Sequence, residues 1–330
     1  MKSSNQTNNT PLLTFLIGFA IFLSSITHAQ NDSESLSFSG LFDPKPEYPY
    51  FQNTQTCPLK NSVFFSFTNA QFLAELSMLS YVREKEITIS HLNQIGFKHV
   101  TILDKNGTYA IIANDEKHTI IAFRGTEAGD KMDFLTDVKI GTTNFGKKGS
   151  AHQGFVEALT QVQAELDAFL QSHHKPKTMH LWITGHSMGG ALATLYSVEN
   201  AKLRPNTYTL GTPRTVGQAI SEMPLEFPFF RIVNDNDIVP KLLPKPFYAH
   251  IGTTIFISSE AKILVNPPAL EKWKSHLNGH GNHLKEVYHR YWKRGKFNAI
   301  PSDYLADHAP INYIKMLNQA EEESAPSTSP

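Results

Sequence analysis

The pentapeptide Gly185-His186-Ser187-Met188-Gly189 is the feature of this chain that leaves the fewest folds open. A side chain at 185 or 189 would strike a neighbouring strand or helix, so glycine at both flanks permits a very tight turn. Such a turn carries chemistry when a strand runs in and a helix runs out, because the serine then stands on strained backbone at the sheet edge. Leu181 to Thr184 reads as a short strand, and Gly189 to Asn200, opened by Gly190, Ala191 and Ala193, reads as a helix. A bare structural turn is the plain alternative. A phosphate-cradling loop is another, but it needs a Lys-Ser/Thr pair that this turn lacks.

An unassisted serine hydroxyl is a poor nucleophile. It needs an imidazole to take its proton and a carboxylate to hold that imidazole in the right tautomer. In a strand-turn-helix setting the chain order is serine, acid, histidine. Phe229 to Val233 reads as a strand, and Asn234-Asp235-Asn236-Asp237 is the loop at its end, where open α/β sheets place their ligands. Asp235 and Asp237 both qualify. Ile238-Val239-Pro240 closes the loop rigidly just after Asp237, which favours Asp237 and leaves Asp235 as a solvated turn residue. Among the histidines downstream, His250 opens a strand-like run and is expected to bond locally, whereas His276, His280, His283 and His289 lie in a polar, Lys-rich stretch broken by Gly279 and Gly281. Those glycines interrupt the helix that would align them on a metal, so no metal is expected there. His308 sits in a short loop before the apolar face Ile311, Ile314 and Leu317 of a final helix, the best placement for a base.

The rest of the chain has the matching rhythm. Ala70 to Val82 reads as an amphipathic helix. Phe97 to Leu103, Tyr109 to Ala113 and Thr119 to Phe123 read as strands, the first two joined by the hairpin turn Asn106-Gly107. A helix over Val156 to Leu170, strands at Tyr208 to Leu210 and Phe230 to Val233, and a β-rich run from Ala249 to Ile257 continue the alternation. This predicts an α/β fold, a mostly parallel central sheet with helices on both faces. After the third strand comes Phe123-Arg124-Gly125-Thr126, where a backbone amide helps bind a developing oxyanion. Met188 supplies the second amide, and Thr126 offers a hydroxyl as well.

Residues 1–29 stand apart: a polar lead with Lys2, the apolar run Leu12 to Ile26, then Thr27-His28-Ala29. This reads as a cleaved signal peptide, the run being shorter than the roughly 20 residues a spanning helix needs. It implies a secreted or periplasmic protein with no integral span after cleavage. Residues 30–61, with Pro44, Pro46, Pro49 and Pro58, suit an extended arm; 62–320 form a single domain, and 321–330, acidic and Ser/Pro-rich, a disordered tail. Cys57 is the only cysteine, so no internal disulfide forms, and with no histidine or acid beside it in sequence it reads as inert. Lys plus Arg equals Asp plus Glu at 30 each, so no global field favours nucleic acid or an anionic membrane.

Six ordered motifs carry a resemblance. Ile121-Ala122-Phe123-Arg124-Gly125-Thr126, Phe134-Leu135-Thr136-Asp137, His152-x-Gly154-Phe155, the serine turn through Ala193, Gly211-Thr212-Pro213-Arg214-x-x-Gly217, and Arg231 through Pro240 together resemble the class 3 triacylglycerol lipase family over roughly residues 70–317. The resemblance implies an α/β-hydrolase fold and carboxylic ester hydrolysis without a cofactor. It also implies Ser187, Asp237 and His308 as the triad, Thr126 and Met188 as oxyanion donors, and a lid after Thr126, at Glu127 to Thr136. The expected substrate is an acylglycerol or related lipid ester, met at a lipid–water interface. A phospholipase or lipid acyltransferase would share the triad, and a non-catalytic lipid-binding protein is disfavoured because every catalytic position is filled. Two departures stand out. Phe134 occupies a position where family members often carry tryptophan, and 262–300 reads as an insertion.

Overall fold

The computed structural model describes residues 44–52, 54, 56–126, 141–269, 271 and 306–325. The signal segment 1–29, the start of the arm, the lid segment Glu127 to Thr136, His276, His280, His283 and His289, and the tail beyond residue 325 lie outside the described residues.

The sheet begins as a meander. Strand β1 (His99–Lys105) and β2 (Thr108–Asn114) pair antiparallel through Asn106 and Gly107, whose φ angles of 47° and 81° are those a two-residue hairpin turn requires. Strand β3 (His118–Phe123) returns antiparallel to β2. A small hairpin of β4 (Thr142–Asn144) and β5 (Ser150–His152) lies apart from the main sheet. Then β6 (His180–His186), β7 (Asn206–Leu210), β8 (Phe229–Asn234) and β9 (Thr253–Ile257) add in parallel, and β10 (Ile263–Val265) closes the edge antiparallel. The order is β1-β2-β3-β6-β7-β8-β9-β10. The expected mostly parallel sheet with an antiparallel start is therefore what forms.

Every residue of β2, β3 and β8 is buried, which an open sheet achieves only when both faces are covered. Alternation divides the core in two. Ile111, Ala113, Ile120, Ala122 and Trp182 face a cluster shared with helices α1 (Phe67–Leu79) and, at the far end of the chain, α6 (Pro310–Ser324). Their neighbours Ala110, Ile112, Ile121, Phe123, Leu181 and Ile183 face α3 (Gln153–His173) and α4 (Met188–Glu199). Two short helices, α2 (Lys85–Gln94) and α5 (Gln218–Ser221), complete the elements used below.

Several boundaries differ from the sequence expectation. Helix α1 begins three residues before Ala70 because the Ser66 hydroxyl accepts from the Asn69 amide and caps it, and it ends at Leu79, not Val82. The run from Ala249 to Ile257 is strand only from Thr253, Ala249 making an isolated bridge to Val216. Within the stretch 262–300, Ile263 to Val265 forms the edge strand β10. The tail is not disordered from residue 321. Helix α6 runs on to Ser324, where Ala320 still packs in the core and carries the last turn with it.

The arm is docked by specific bonds. Tyr50, Phe51 and Leu59 are buried, the Phe51 amide donates to Glu75 on α1 at 2.6 Å, and the Asn69 side chain clamps both the amide and the carbonyl of Lys60. Burial raises the Glu75 carboxyl above its ordinary range, against the lowering effect of bonds from Phe51 and Tyr48. Docking also corrects the reading of Cys57. The fold brings Asp115 and His118, from the β2–β3 turn, within 4.8 Å of its sulfur.

Candidate active site

Strand β6 delivers Ser187 into the turn with φ 59° and ψ −127°, a conformation that L-residues reach only under constraint. The constraint is visible on both flanks. A Cβ on Gly185 would run into the Gly189 carbonyl, and one on Gly189 into the Phe123 carbonyl at the end of β3. The Ser187 amide is held by the Leu210 carbonyl of β7 at 2.9 Å, so the turn is pinned to the neighbouring strand.

The structure brings Ser187, His308 and Asp237 together from three elements. His308 Nε2 lies 2.9 Å from Ser187 Oγ, and His308 Nδ1 lies 2.8 Å from Asp237 Oδ2. All three are buried, with relative exposures of 2%, 3% and 0% in that order of serine, histidine and aspartate. With Nδ1–H donating to the carboxylate, Nε2 presents its lone pair to the serine hydroxyl, the tautomer a general base requires.

The carboxylate is itself held. Asp237 Oδ1 accepts from the Val239 amide at 2.8 Å, and Oδ2 accepts a second bond from the Tyr313 hydroxyl at 2.6 Å. Burial first, and then the charge of Asp237, push the Tyr313 phenol well above its ordinary range, so it remains a donor. Asp235 does not lie free in solvent as expected. It is 3% exposed and accepts from the Asn236 side chain, while the imidazole bond goes to Asp237. Lys241, nearby, has its ammonium held below its usual range by desolvation, an effect opposed by Asp237 and Asp235.

The loops carrying Asp237 and His308 are stitched to one another. Asn234 donates its amide to Tyr313 Oη at 3.2 Å and its side chain to the Asp307 carbonyl at 3.0 Å, and the Asn236 amide donates to the Asp307 carboxylate. Gly211, with φ 58°, passes close beneath. A Cβ there would stand 2.7 Å from Asp237 Oδ2 and 2.8 Å from His308 Nδ1. Arg214 in the same motif donates to the carbonyls of Lys241 and Leu243 and fixes the segment after the acid.

Thr126 and Met188 flank the serine. The Thr126 hydroxyl is 3.6 Å from the Met188 sulfur, and a Cβ on Gly125 would come within 3.1 Å of Ser187 Cβ. Met188 opens α4, whose amino end offers partial positive charge. The remaining sequence candidates fall elsewhere. His250 bonds locally to the Pro240 carbonyl, and His152 caps α3 by accepting from the Phe155 amide, which is the physical content of the His-x-Gly-Phe motif. Burial pushes the Cys57 thiol up to about 12, so it is no nucleophile.

Three residues of this site escaped the sequence reading. Besides Tyr313, His186 donates through Nε2 to the His308 carbonyl at 2.6 Å, and Tyr81 bonds His186 Nδ1 at 2.9 Å. The only sequence signal for Tyr313 is a polar aromatic on the apolar face of the final helix; for Tyr81 there is none.

Comparison with known proteins bears out the family resemblance. A lipase (class 3) family model matches residues 120–247. The chain is 25% identical to the triacylglycerol lipase OBL1 of Ricinus communis, over 68% of this chain and 58% of that protein. It is 30% identical to a lipase of Rhizomucor miehei, over 47% and 46%, and 28% identical to the phospholipase A1-II 3 of Oryza sativa subsp. indica, over 47% and 46%. The chain thus spans about half the length of the curated relatives it matches. A solved Rhizomucor miehei lipase propeptide complex superposes with a TM-score of 0.53 at 22% identity, covering 72% of this chain and 84% of that one. The fold is that of an α/β-hydrolase.

Proposed function

We propose that this protein is a serine hydrolase of lipid carboxylic esters, working through an acyl-enzyme on Ser187. The observation that carries the reading is the unbroken chain of contacts Ser187 Oγ to His308 Nε2 and His308 Nδ1 to Asp237 Oδ2, both within hydrogen-bond length in a dry setting. His308 takes the serine proton as Oγ attacks the ester carbonyl. The negative charge on the carbonyl oxygen is met by the Thr126 and Met188 amides, each such donor contributing about 2.7 to 4 kcal/mol. His308 then gives its proton to the leaving alcohol, and a water repeats the sequence to release the acid. Asp237 stays ionised throughout and stabilises the imidazolium.

Acylglycerol is the substrate class that the lipase relatives support; the rice relative, by its name a phospholipase A1, supports a glycerophospholipid as the second reading. The signal-like residues 1–29 support action outside the cytoplasm. No helix among the described residues is long and apolar enough to cross a membrane. The test is purified protein assayed on triacylglycerols and phospholipids of matched acyl chain, alongside Ser187→Ala. That variant is expected to lose on the order of 10⁶-fold in kcat and all labelling by a fluorophosphonate. Turnover retained by Ser187→Ala would remove the proposal, and a preference for phospholipid would replace the first substrate class by the second.

A further inference from the structure

The cluster of Cys57, Asp115 and His118 lies outside the active site, on the seam where the arm meets the β2–β3 turn, and its ligand atoms stand within 4.8 Å of one another. His118 Nε2 faces the Leu59 carbonyl at 3.1 Å, and a carbonyl can only accept, so Nε2 carries the proton. In the neutral ring this leaves a lone pair on Nδ1, aimed at Asp115 Oδ2 only 2.9 Å away. A lone pair and a carboxylate oxygen at that separation repel unless a positive charge lies between them. A proton would serve, giving an imidazolium–carboxylate pair. The thiol sulfur within 4.8 Å of both atoms is a third donor that a proton bridge leaves unused.

We propose that Cys57 Sγ, Asp115 Oδ2 and His118 Nδ1 form a three-ligand site for a divalent cation of the zinc class, which fastens the N-terminal arm to the sheet. One sulfur, one imidazole nitrogen and one carboxylate oxygen are the donors that suit zinc. The Nε2–H to carbonyl bond is the outer partner that ligating histidines nearly always have, and it fixes Nδ1 as the ligating atom. The turn holds the carboxylate ready, since Asp115 Oδ1 accepts from both the Lys117 and the His118 amides at 2.6 Å and leaves Oδ2 for the ion. Neighbouring ligand atoms around tetrahedral zinc stand about 3.3 to 3.6 Å apart. The ion would therefore open the 2.9 Å gap between Nδ1 and Oδ2 slightly and draw the sulfur, within 4.8 Å of both, inward. The Asp115 side chain is 17% exposed, which gives the ion a way in and water a fourth position. On binding, the thiol proton leaves to solvent as the sulfur–metal bond forms, and thiolate plus carboxylate balance the double charge of the ion.

The test uses the full chain, stripped with a chelator and then titrated with zinc or with cobalt as a spectroscopic stand-in. The expected result is a thiolate-to-cobalt charge-transfer band and a zinc-dependent rise in melting temperature, roughly 5 to 10 °C at a hundredfold excess over Kd. Both are lost in Cys57→Ser and His118→Gln and kept in a variant with His276, His280 and His283 replaced by alanine. A wild-type protein with no such band, or a zinc-dependent rise unchanged in Cys57→Ser, overturns the site. Far-UV circular dichroism of each variant without metal separates loss of the ligand from loss of the fold.

Discussion

Asp237→Asn tests the site more sharply than removal of the nucleophile, because it alters one atom and leaves the shape intact. The carboxylate meets donors on both oxygens: the Val239 amide on Oδ1, and His308 Nδ1–H with the Tyr313 hydroxyl on Oδ2. An amide nitrogen placed at Oδ1 would face an N–H that cannot turn away, at a cost of about 1–3 kcal/mol for a buried unpaired donor. Placed at Oδ2 it faces a hydroxyl that can rotate and an imidazole that can change tautomer. The asparagine is therefore expected to set its NH₂ against His308 Nδ1, which moves the ring proton to Nε2 and leaves Ser187 without a base. Two losses follow in the transition state. The charge-assisted bond to the imidazolium is about 1.5–3 kcal/mol, and leaving a buried charge without its partner costs about 3–5 kcal/mol. Their sum brackets the roughly 5.4 kcal/mol that corresponds to four decades of rate. The assay is kcat on a soluble p-nitrophenyl ester at neutral pH, with urea unfolding to show that the fold survives. Activity within tenfold of wild type would refute the reasoning, since it would mean that the tautomer is not set by Asp237.

The remaining expectations bear on the supports of the site and of the arm. Tyr313→Phe removes the 2.6 Å bond to Asp237 and should lower kcat/KM by roughly 10- to 100-fold in steady-state assays, the equivalent of about 1.5–3 kcal/mol for a bond to a charged group. Gly211→Ala puts a methyl group 2.7 Å from Asp237 Oδ2 on backbone with φ 58°, so fluorophosphonate labelling of Ser187 should slow by more than about 100-fold while thermal unfolding shifts by only a few degrees. The raised folded-state value of Glu75 makes its protonated form the better folder: stability is fuller below that value and falls as the pH rises through it. Glu75→Gln should therefore narrow the difference in melting temperature between pH 4.5 and pH 7.5. An unchanged difference would show that the arm contact does not titrate.

What the sequence disclosed was what is local. The serine turn, the acid loop closed by Pro240 and the strand alternation each follow from residues a few places apart. Asn106-Gly107 likewise announces its hairpin because both positions need positive φ. What stayed hidden was set by folding at a distance. Tyr313 reaches an aspartate 76 positions earlier, Tyr81 a histidine 105 positions later, and His118 a carbonyl 59 positions before it. No periodicity encodes those contacts, and for the same reason Cys57 read as isolated when its neighbours were counted along the chain and not across the sheet. Asp235 misled differently. Its loop is polar and short, which reads as solvent-facing, yet its backbone amide bonds the Ile257 carbonyl at the end of β9 and its side chain is buried.

His308 lies 121 residues after Ser187 and 71 after Asp237, on the loop that leads into α6, which packs against α1 from the beginning of the domain. A chain emerging from the ribosome therefore has its serine and its aspartate in hand well before it has anything to activate them. The turn around Ser187 can form early and remain chemically silent. Only when both ends of the domain meet does the imidazole of His308 come within 2.9 Å of Ser187 Oγ. For as long as the chain is unfinished, Ser187 stands in its turn with no imidazole to take its proton.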